Sequence, residues 1–335
     1  MSSQDFQRLE RIGISGLPRQ WLDDTARARI AQDAALVTTP NNGVPAWMTQ
    51  YTSPKLIKVL TEKLGAEEVF DPSRMGGYGT MTATFPMIEH TGAVGAYADY
   101  GRDGHAGFNA NWPSREAFYF QTIVTWGDLE LAVMAQGKID AASQKQDAAA
   151  LVMKTAHNSI WFYGVQNLAN WGILNDPRLN PAIPPLPNTS SDLEWADKDD
   201  QEIYADVKLL YKTLVGQNRG RVNKKTKMSL ILDTDSEAEL DKKSLYGESV
   251  VVSLKKAYPN MEIVSAVEMD TAAGRVAMLI AHDVMGQKTG ELGYVELLKA
   301  HGVVRDLSSL RQKYSGANFG AVMYQPNAIA TMIGI

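Results

Sequence analysis

The 335 residues contain no cysteine. Disulfides, thiolate nucleophiles and cysteine-held zinc or iron–sulfur centres are therefore excluded. Durability has to come from packing, hydrogen bonds and association. Lysine is missing from residues 64 to 137, more than a fifth of the chain. No apolar run approaches the ~20 residues that a membrane-crossing helix requires. The opening Met1-Ser-Ser-Gln-Asp5 lacks the basic and apolar regions of a signal peptide. A chain made and used in the cytoplasm, or in something assembled there, is the expectation. Histidines stand at 90, 105, 157, 282 and 301, with no His-x-x-x-His or His-x-His spacing to make a zinc pair. The Gly-x-Ser-x-Gly elbow, the Walker loop and the kinase motifs are absent as well. Neither a cofactor nor a metal is expected. A net charge of −5 argues against a protein whose whole surface grips nucleic acid, although it leaves room for a local basic face.

What remains is an ordinary globular composition, 44% hydrophobic and 21% charged, long enough for two domains or one domain with extensions. Residues 1–52 read as a polar arm. Pro18 to Leu36 reads as an amphipathic helix carrying Trp21, Leu22 and Ile30, which the breaker cluster from Thr38 to Pro45 is expected to end. Ser53-Pro54 is a good helix start, with Leu56, Ile57, Leu60 and Leu64 following, so 53–79 reads as an entry helix and loop. The cluster Gly76-Gly-Tyr-Gly79 follows a helix and opens a strand. A phosphate-binding loop needs the opposite context.

Thr80–Ile88 and Arg115–Trp126 are strand-like. In the second, Phe118, Phe120, Thr122, Val124 and Trp126 fall on one face. Between them Glu89–Ser114 carries five glycines together with Tyr97, Tyr100, Phe108 and Trp112. Connections longer than ~12–15 residues are uncommon in compact domains, and disordered segments are poor in aromatics. The stretch therefore reads as a long hairpin whose tip packs against something else; the alternative is a loop folded back on its own domain. From Asp128 to Tyr163 apolar residues recur every three or four positions, which predicts one helix roughly 54 Å long at ~1.5 Å per residue. Pro177, Pro181, Pro184, Pro185 and Pro187 then form a stiff crossing. Residues 188–300 alternate helices and strands, with helices near 199–215 and 249–258 and strands at 228–232, 261–267 and 275–281. Residues 301–335 are strand-rich.

Chemistry is sparse. Asp233-Thr-Asp235 follows a predicted strand, where metal-binding carboxylates often lie, yet Asp and Ser before a helix is ordinary capping chemistry. The basic run Arg219, Arg221, Lys224, Lys225 and Lys227 is either a solvated loop face or a phosphate contact.

The order of arm, helix, long hairpin, long helix, proline crossing, α/β region and returning strands resembles the Hong Kong 97-type capsid fold. The words Phe85-Pro-Met-Ile-Glu-His-Thr-Gly92, Asn111-Trp-Pro113, Trp126-Gly127, Phe162-Tyr-Gly-Val165, Trp171-Gly-Ile-Leu-Asn-Asp-Pro177 and Gln325-Pro-Asn-Ala-Ile329 resemble a phage major capsid family once labelled a domain of unknown function. The likeness spans about residues 44–335. It implies an α+β capsid fold with an N-terminal arm, an extended E-loop at 80–126, a peripheral domain carrying the spine helix and crossing at 127–187, an axial domain at 188–300, and peripheral strands at 301–335. It implies a shell subunit, not an enzyme, assembling with itself into hexamers and pentamers around double-stranded DNA, without a membrane. The virion capsid, assembled in the bacterial host cytoplasm, is the expected location. A portal protein is an implied partner. The arm is too short for a large scaffolding domain, so a separate scaffold or none is implied, and separate decoration proteins fit the same picture. A chain read from Met1 carries the expectation that its N-terminus is not trimmed.

Tyr97, Tyr100, Arg102, Phe108 and Trp112 are the expected inter-subunit contacts. Some relatives weld subunits through an E-loop lysine; with none between Lys63 and Lys138, a non-covalent shell is expected. The competing readings are an encapsulin-type compartment and, from another class, a cytoplasmic α/β enzyme using carboxylates near 233 and 268–270.

Overall fold

The computed structural model describes residues 64–136, 140–188, 190–243 and 247–335. The expected arm, nearly all of the entry helix, and Gly137, which the sequence marks as a bending point in the spine helix, lie outside the described residues.

In chain order the elements are α1 (Ala66–Val69), β1 (Pro72–Arg74), β2 (Thr82–Thr84), β3 (Met87–Val94), β4 (Gly104–Asn111), β5 (Ser114–Glu116), β6 (Phe118–Gly127), α2 (Asp128–Gln136) and α3 (Ala141–Tyr163). After the proline crossing come α4 (Asp200–Gln217), β7 (Met228–Leu232), α5 (Thr234–Glu239), α6 (Val250–Ala257), β8 (Met261–Ser265), β9 (Asp270–Thr271) and β10 (Gly274–Ala281). The chain closes with β11 (Asp283–Val284), β12 (Gln287–Lys288), β13 (Gly290–Ala300), β14 (Val304–Asp306), β15 (Ser309–Met323) and β16 (Ile329–Ile333).

Two sheets organise these elements. The first runs β1-β13-β15-β14, with β6 also paired to β15. Strand β6 is antiparallel to β15 along its whole length, from Gly127 opposite Ser309 to Phe118 opposite Asn318. Its alternating pattern is realised: Val124 and Trp126 are buried, whereas Gln121, Ile123 and Thr125 are exposed. The buried face meets α3, where Phe120 contacts the His157 ring edge-on at 4.8 Å and Val124 and Trp126 cluster with Ala149.

The second sheet runs β16-β10-β7-β8, with β9 beside β10. It is buried on both faces, which is why β7 (Met-Ser-Leu-Ile-Leu) shows no polar alternation. Leu230, Leu279 and Met332 face α4 and α6; Ile231, Met278 and Ile329 face Trp161, Phe162 and Ala321. A buried ion pair, Lys198–Asp206 at 2.7 Å, fastens the crossing to α4, with Leu186 N and Trp195 Nε1 also donating to Asp206.

One expectation changes. The single 128–163 helix is two helices. Asp140 leaves helical geometry and its carboxylate caps α3 by accepting from Ser143 N at 3.1 Å. Strand β6, which falls within the expected strand at 115–126, is a full strand of the first sheet. Strand β13 pairs β1 and β15, while β16 pairs β10 in the second sheet.

Candidate assembly surface

The hairpin begins where β2 and β5 pair, Thr82 opposite Glu116 and Thr84 opposite Ser114. Beyond that root, β3 and β4 pair from Met87 opposite Asn111 to Val94 opposite Gly104. Eight residues at ~3.3 Å each carry the tip roughly 26 Å from the root. Every residue from 87 to 111 is exposed, so the folded-back alternative is excluded.

Antiparallel partners share a face. The register therefore collects Ile88, Ala110, His90, Phe108, Gly92, Ala106 and Val94 on one side. Met87, Glu89, Asn109, Asn111, Thr91 and His105 share the other. The projection is thus amphipathic. Its apolar side is uncovered in the single chain, with Phe108 66% and Val94 100% exposed. Of the other sequence-predicted residues, Tyr97 and Tyr100 are 92% and 99% exposed at the tip, Arg102 is exposed beside them, and Trp112, 60% exposed, lies at the base. Beside the base is a cleft of about 980 Å³ lined by Phe85, Ile88, Trp171, Arg178 and Tyr324 among others.

The root is held rigidly. Arg115, on β5, is almost wholly buried and ion-paired to the fully buried Asp176. Its guanidinium lies 4.3 Å from the centre of the Trp171 ring. Arg178 adds a second ion pair to Asp176 at 3.0 Å and donates to the Met323 carbonyl at 2.7 Å. Burial pushes the Asp176 carboxyl up, yet hydrogen bonds from Arg178 and the charges of Arg115 and Arg178 outweigh it and hold the group below the ordinary carboxylate range. Glu116 N donates to Ala169 O at 3.0 Å, and Asn170 Nδ2 bridges the Glu116 and Asn318 carbonyls.

Sequence reasoning missed this clamp, because its partners lie 61 residues apart. The signal was in the short words already noted. Asp176 supplies the carboxylate. Gly172 and Gly320 let backbones approach so closely that a Cβ would collide with the Phe162 and Trp171 carbonyls, and Gly320 also has φ +75°.

The other candidates resolve into structural roles. Asp233 caps α5, accepting from Asp235 N and Ser236 N, and Asp235 pairs with Arg275 at 2.6 Å. Glu268 accepts from Asn158 Nδ2. His157 binds the Leu297 carbonyl and Asn318, His282 binds Ser229 Oγ at 2.6 Å and His301 binds Ser315 Oγ at 2.7 Å. Among the described residues no group of His, Asp or Glu is arranged to hold a metal ion, and no helix is long and apolar enough to cross a membrane.

Two packed layers with a projecting, uncovered hairpin define a shell-building subunit, and solved structures agree on the fold. The capsid of Myoviridae phage XM1 superposes with a TM-score of 0.72 at 13% identity, over 88% of this chain and 100% of that one. The capsid of the native GTA particle gives 0.62 at 12% identity, over 90% and 98%. The capsid of cyanophage P-SCSP1u gives 0.55 at 10%, over 90% and 97%. No curated protein matches by sequence. Residues 35–334 match the model of the Pa193 gp26 major capsid protein, and the chain belongs to that family. It is a structural protein, the major capsid protein of a phage head, with the Hong Kong 97-like fold.

Proposed function

We propose that the hairpin lies across a neighbouring copy of the chain and that Tyr97, Tyr100, Arg102, Phe108 and Trp112 make that contact. The observation that carries this reading is the uncovered apolar face of β3 and β4. A solvent-facing patch of this kind is a liability on a monomer, and in a repeating heterologous contact it closes a ring. Four aromatics at ~150–250 Å² each offer ~600–1000 Å². At ~25 cal/mol/Å² that is about 15–25 kcal/mol gross per subunit, an upper bound before ordering costs.

In this reading the first sheet with α3 forms the peripheral part and the second sheet the axial part, and hexamers and pentamers of the one chain close the head around double-stranded DNA. The shell performs no catalysis and sits in the virion, assembled in the host cytoplasm and joined there by a portal protein. A scaffold or decoration protein, where present, is a separate chain. An enzymatic reading gains nothing from the carboxylates at 233, 235 and 268, which are occupied as caps, ion pairs and hydrogen-bond acceptors.

Alanine at Trp112 or Phe108 tests the contact. Both variants should keep the wild-type circular dichroism and melting temperature while losing rings and shells in sedimentation. A Trp112→Ala subunit that unfolds, or that assembles as well as wild type, contradicts the assignment.

A further inference from the structure

Between Asp206 and Asp233 the chain carries seven basic residues and no acidic one, a local excess of positive charge in a protein whose net charge is −5. Lys208 and Lys212 stand four residues apart on one face of α4, both exposed. Arg219, Arg221, Lys224, Lys225 and Lys227 follow in the loop from α4 to β7 and are exposed as well. Exposed cations elsewhere have carboxylates beside them: Arg74 has Glu296 at 3.0 Å, Lys288 has Glu291 at 2.9 Å and Arg311 has Asp306 at 2.9 Å. Among the described residues none of these seven makes an ion pair, and Lys224 lies over the Tyr258 ring at 5.8 Å.

The backbone of the loop is fixed beneath these charges. Asn218 Nδ2 donates to the Leu214 and Asn327 carbonyls at 2.8 and 2.7 Å, and Val222 is buried in the core beside α4 and α6. Asn223 turns the chain: its Oδ1 accepts from Lys225 N at 2.9 Å and its N donates to Thr226 Oγ1 at 3.1 Å. Asn260 Nδ2 and His282 N donate to the Lys225 and Lys227 carbonyls. Binding a polyanion here would order side chains and leave the main chain as it is, which keeps the entropic cost low.

The chemistry of the patch selects its partner. The centre of a protein–protein interface is apolar, yet no large apolar side chain between Val207 and Leu232 is exposed. That argues against the aromatic hairpin as the occupant. A DNA duplex presents one negative charge per ~1.7 Å of its axis, and a row of cations neutralises such a lattice without reading its sequence. We infer that the α4–β7 loop and the exposed face of α4 bind the sugar–phosphate backbone of double-stranded DNA, independently of sequence. The inference rests on the head closing around DNA, and it puts this surface on the inside of the shell.

A short duplex of mixed sequence is the probe, titrated against unassembled full-length subunits by fluorescence anisotropy over a range of salt concentrations. Two double variants are compared with wild type, Arg219→Gln with Arg221→Gln and Lys224→Gln with Lys225→Gln. Circular dichroism should be unchanged in both. For wild type the logarithm of affinity should fall linearly with the logarithm of salt, and each double variant should lower that slope by about two units. Lys288→Gln, which removes a paired cation elsewhere, should leave the slope unaltered. Both double variants should still form rings and closed shells, where Trp112→Ala forms none. Wild-type subunits that do not bind the duplex, or slopes unchanged in both double variants, overturn the inference. Polyglutamate bound as tightly as the duplex also overturns it, by making an acidic protein the partner. Loss of shells in both double variants does so too, by making the patch a contact between subunits. Shells without DNA, built from subunits that bind the duplex as expected, contradict the enclosure of DNA and leave the binding surface standing.

Discussion

Replacing Asp176 by alanine removes the carboxylate that holds the hairpin root. Arg115 is then left buried beneath Trp171 with no counter-ion. Breaking a buried pair from one side costs about 3–5 kcal/mol, chiefly because the remaining charge stays desolvated. Replacing Arg115 instead is milder. Asp176 keeps Arg178, whose side chain is 30% exposed and bonds it at 3.0 Å, so the loss is nearer the ~1.5–3 kcal/mol of hydrogen bonds to a charged group. A domain of this size shifts its melting temperature by roughly 2–4 °C per kcal/mol, so Asp176→Ala should melt about 6–20 °C below wild type. Scanning calorimetry on unassembled subunits at pH 7 measures it. The effect depends on pH in a defined direction. A carboxyl held below its ordinary value in the folded state contributes its full stabilisation above the unfolded value near 3.8 and loses it as pH falls through the folded value. The gap between wild type and Asp176→Ala should therefore narrow in strong acid. An Arg115→Ala variant less stable than Asp176→Ala, or an Asp176→Ala variant melting within a degree of wild type, refutes the reasoning.

Three other perturbations follow the same logic. Asp206→Ala strands Lys198, which is fully buried with it, and should cost about 3–5 kcal/mol in urea denaturation; a loss below about 1 kcal/mol contradicts the pairing. Burial holds the His157 imidazole below its ordinary value of 6.5, so the unfolded chain takes up the proton first and stability should fall as pH drops below about 6.5. His157→Gln should flatten that fall between pH 7.5 and 5.5, and an unchanged slope rules His157 out as its source. Boiling assembled particles in detergent should release one band near 36.8 kDa, since the chain has no cysteine and its hairpin no lysine; a ladder of multimers that survives reductant points to a covalent weld from a lysine elsewhere.

The parts of the fold legible in the sequence are those written locally. The alternation in β6 shows at a glance which face meets α3. The concentration of glycine and aromatic residues between 89 and 114 marks a projection, because a stretch so rich in glycine builds no core of its own and one so rich in aromatics does not stay disordered. The break at Asp140 was hidden. Spacing by threes and fours continues on both sides of it, and an aspartate looks the same mid-helix as at a cap until Ser143 N is seen to donate to it. Sheet membership of β13 and β16 was hidden for another reason: each pairs with strands distant in sequence, and nothing in their composition distinguishes the two sheets. The Arg115–Asp176 clamp combines both difficulties. A lone arginine after a loop reads as surface charge, and only the close approach permitted by Gly172 and Gly320 shows why the segment around Asp176 reaches it. The amphipathic character of the hairpin also needed register, since Phe108 joins Ile88 and His90 only once the pairing is known.

Cryo-electron microscopy of assembled particles tests the central claim most directly. The account predicts a closed shell in which residues 87–111 lie on an adjacent copy, with Phe108, Trp112 and the tip tyrosines within about 4 Å of its atoms. A hairpin that packs on its own sheet, or stands free in solvent while the shell is closed, would contradict it.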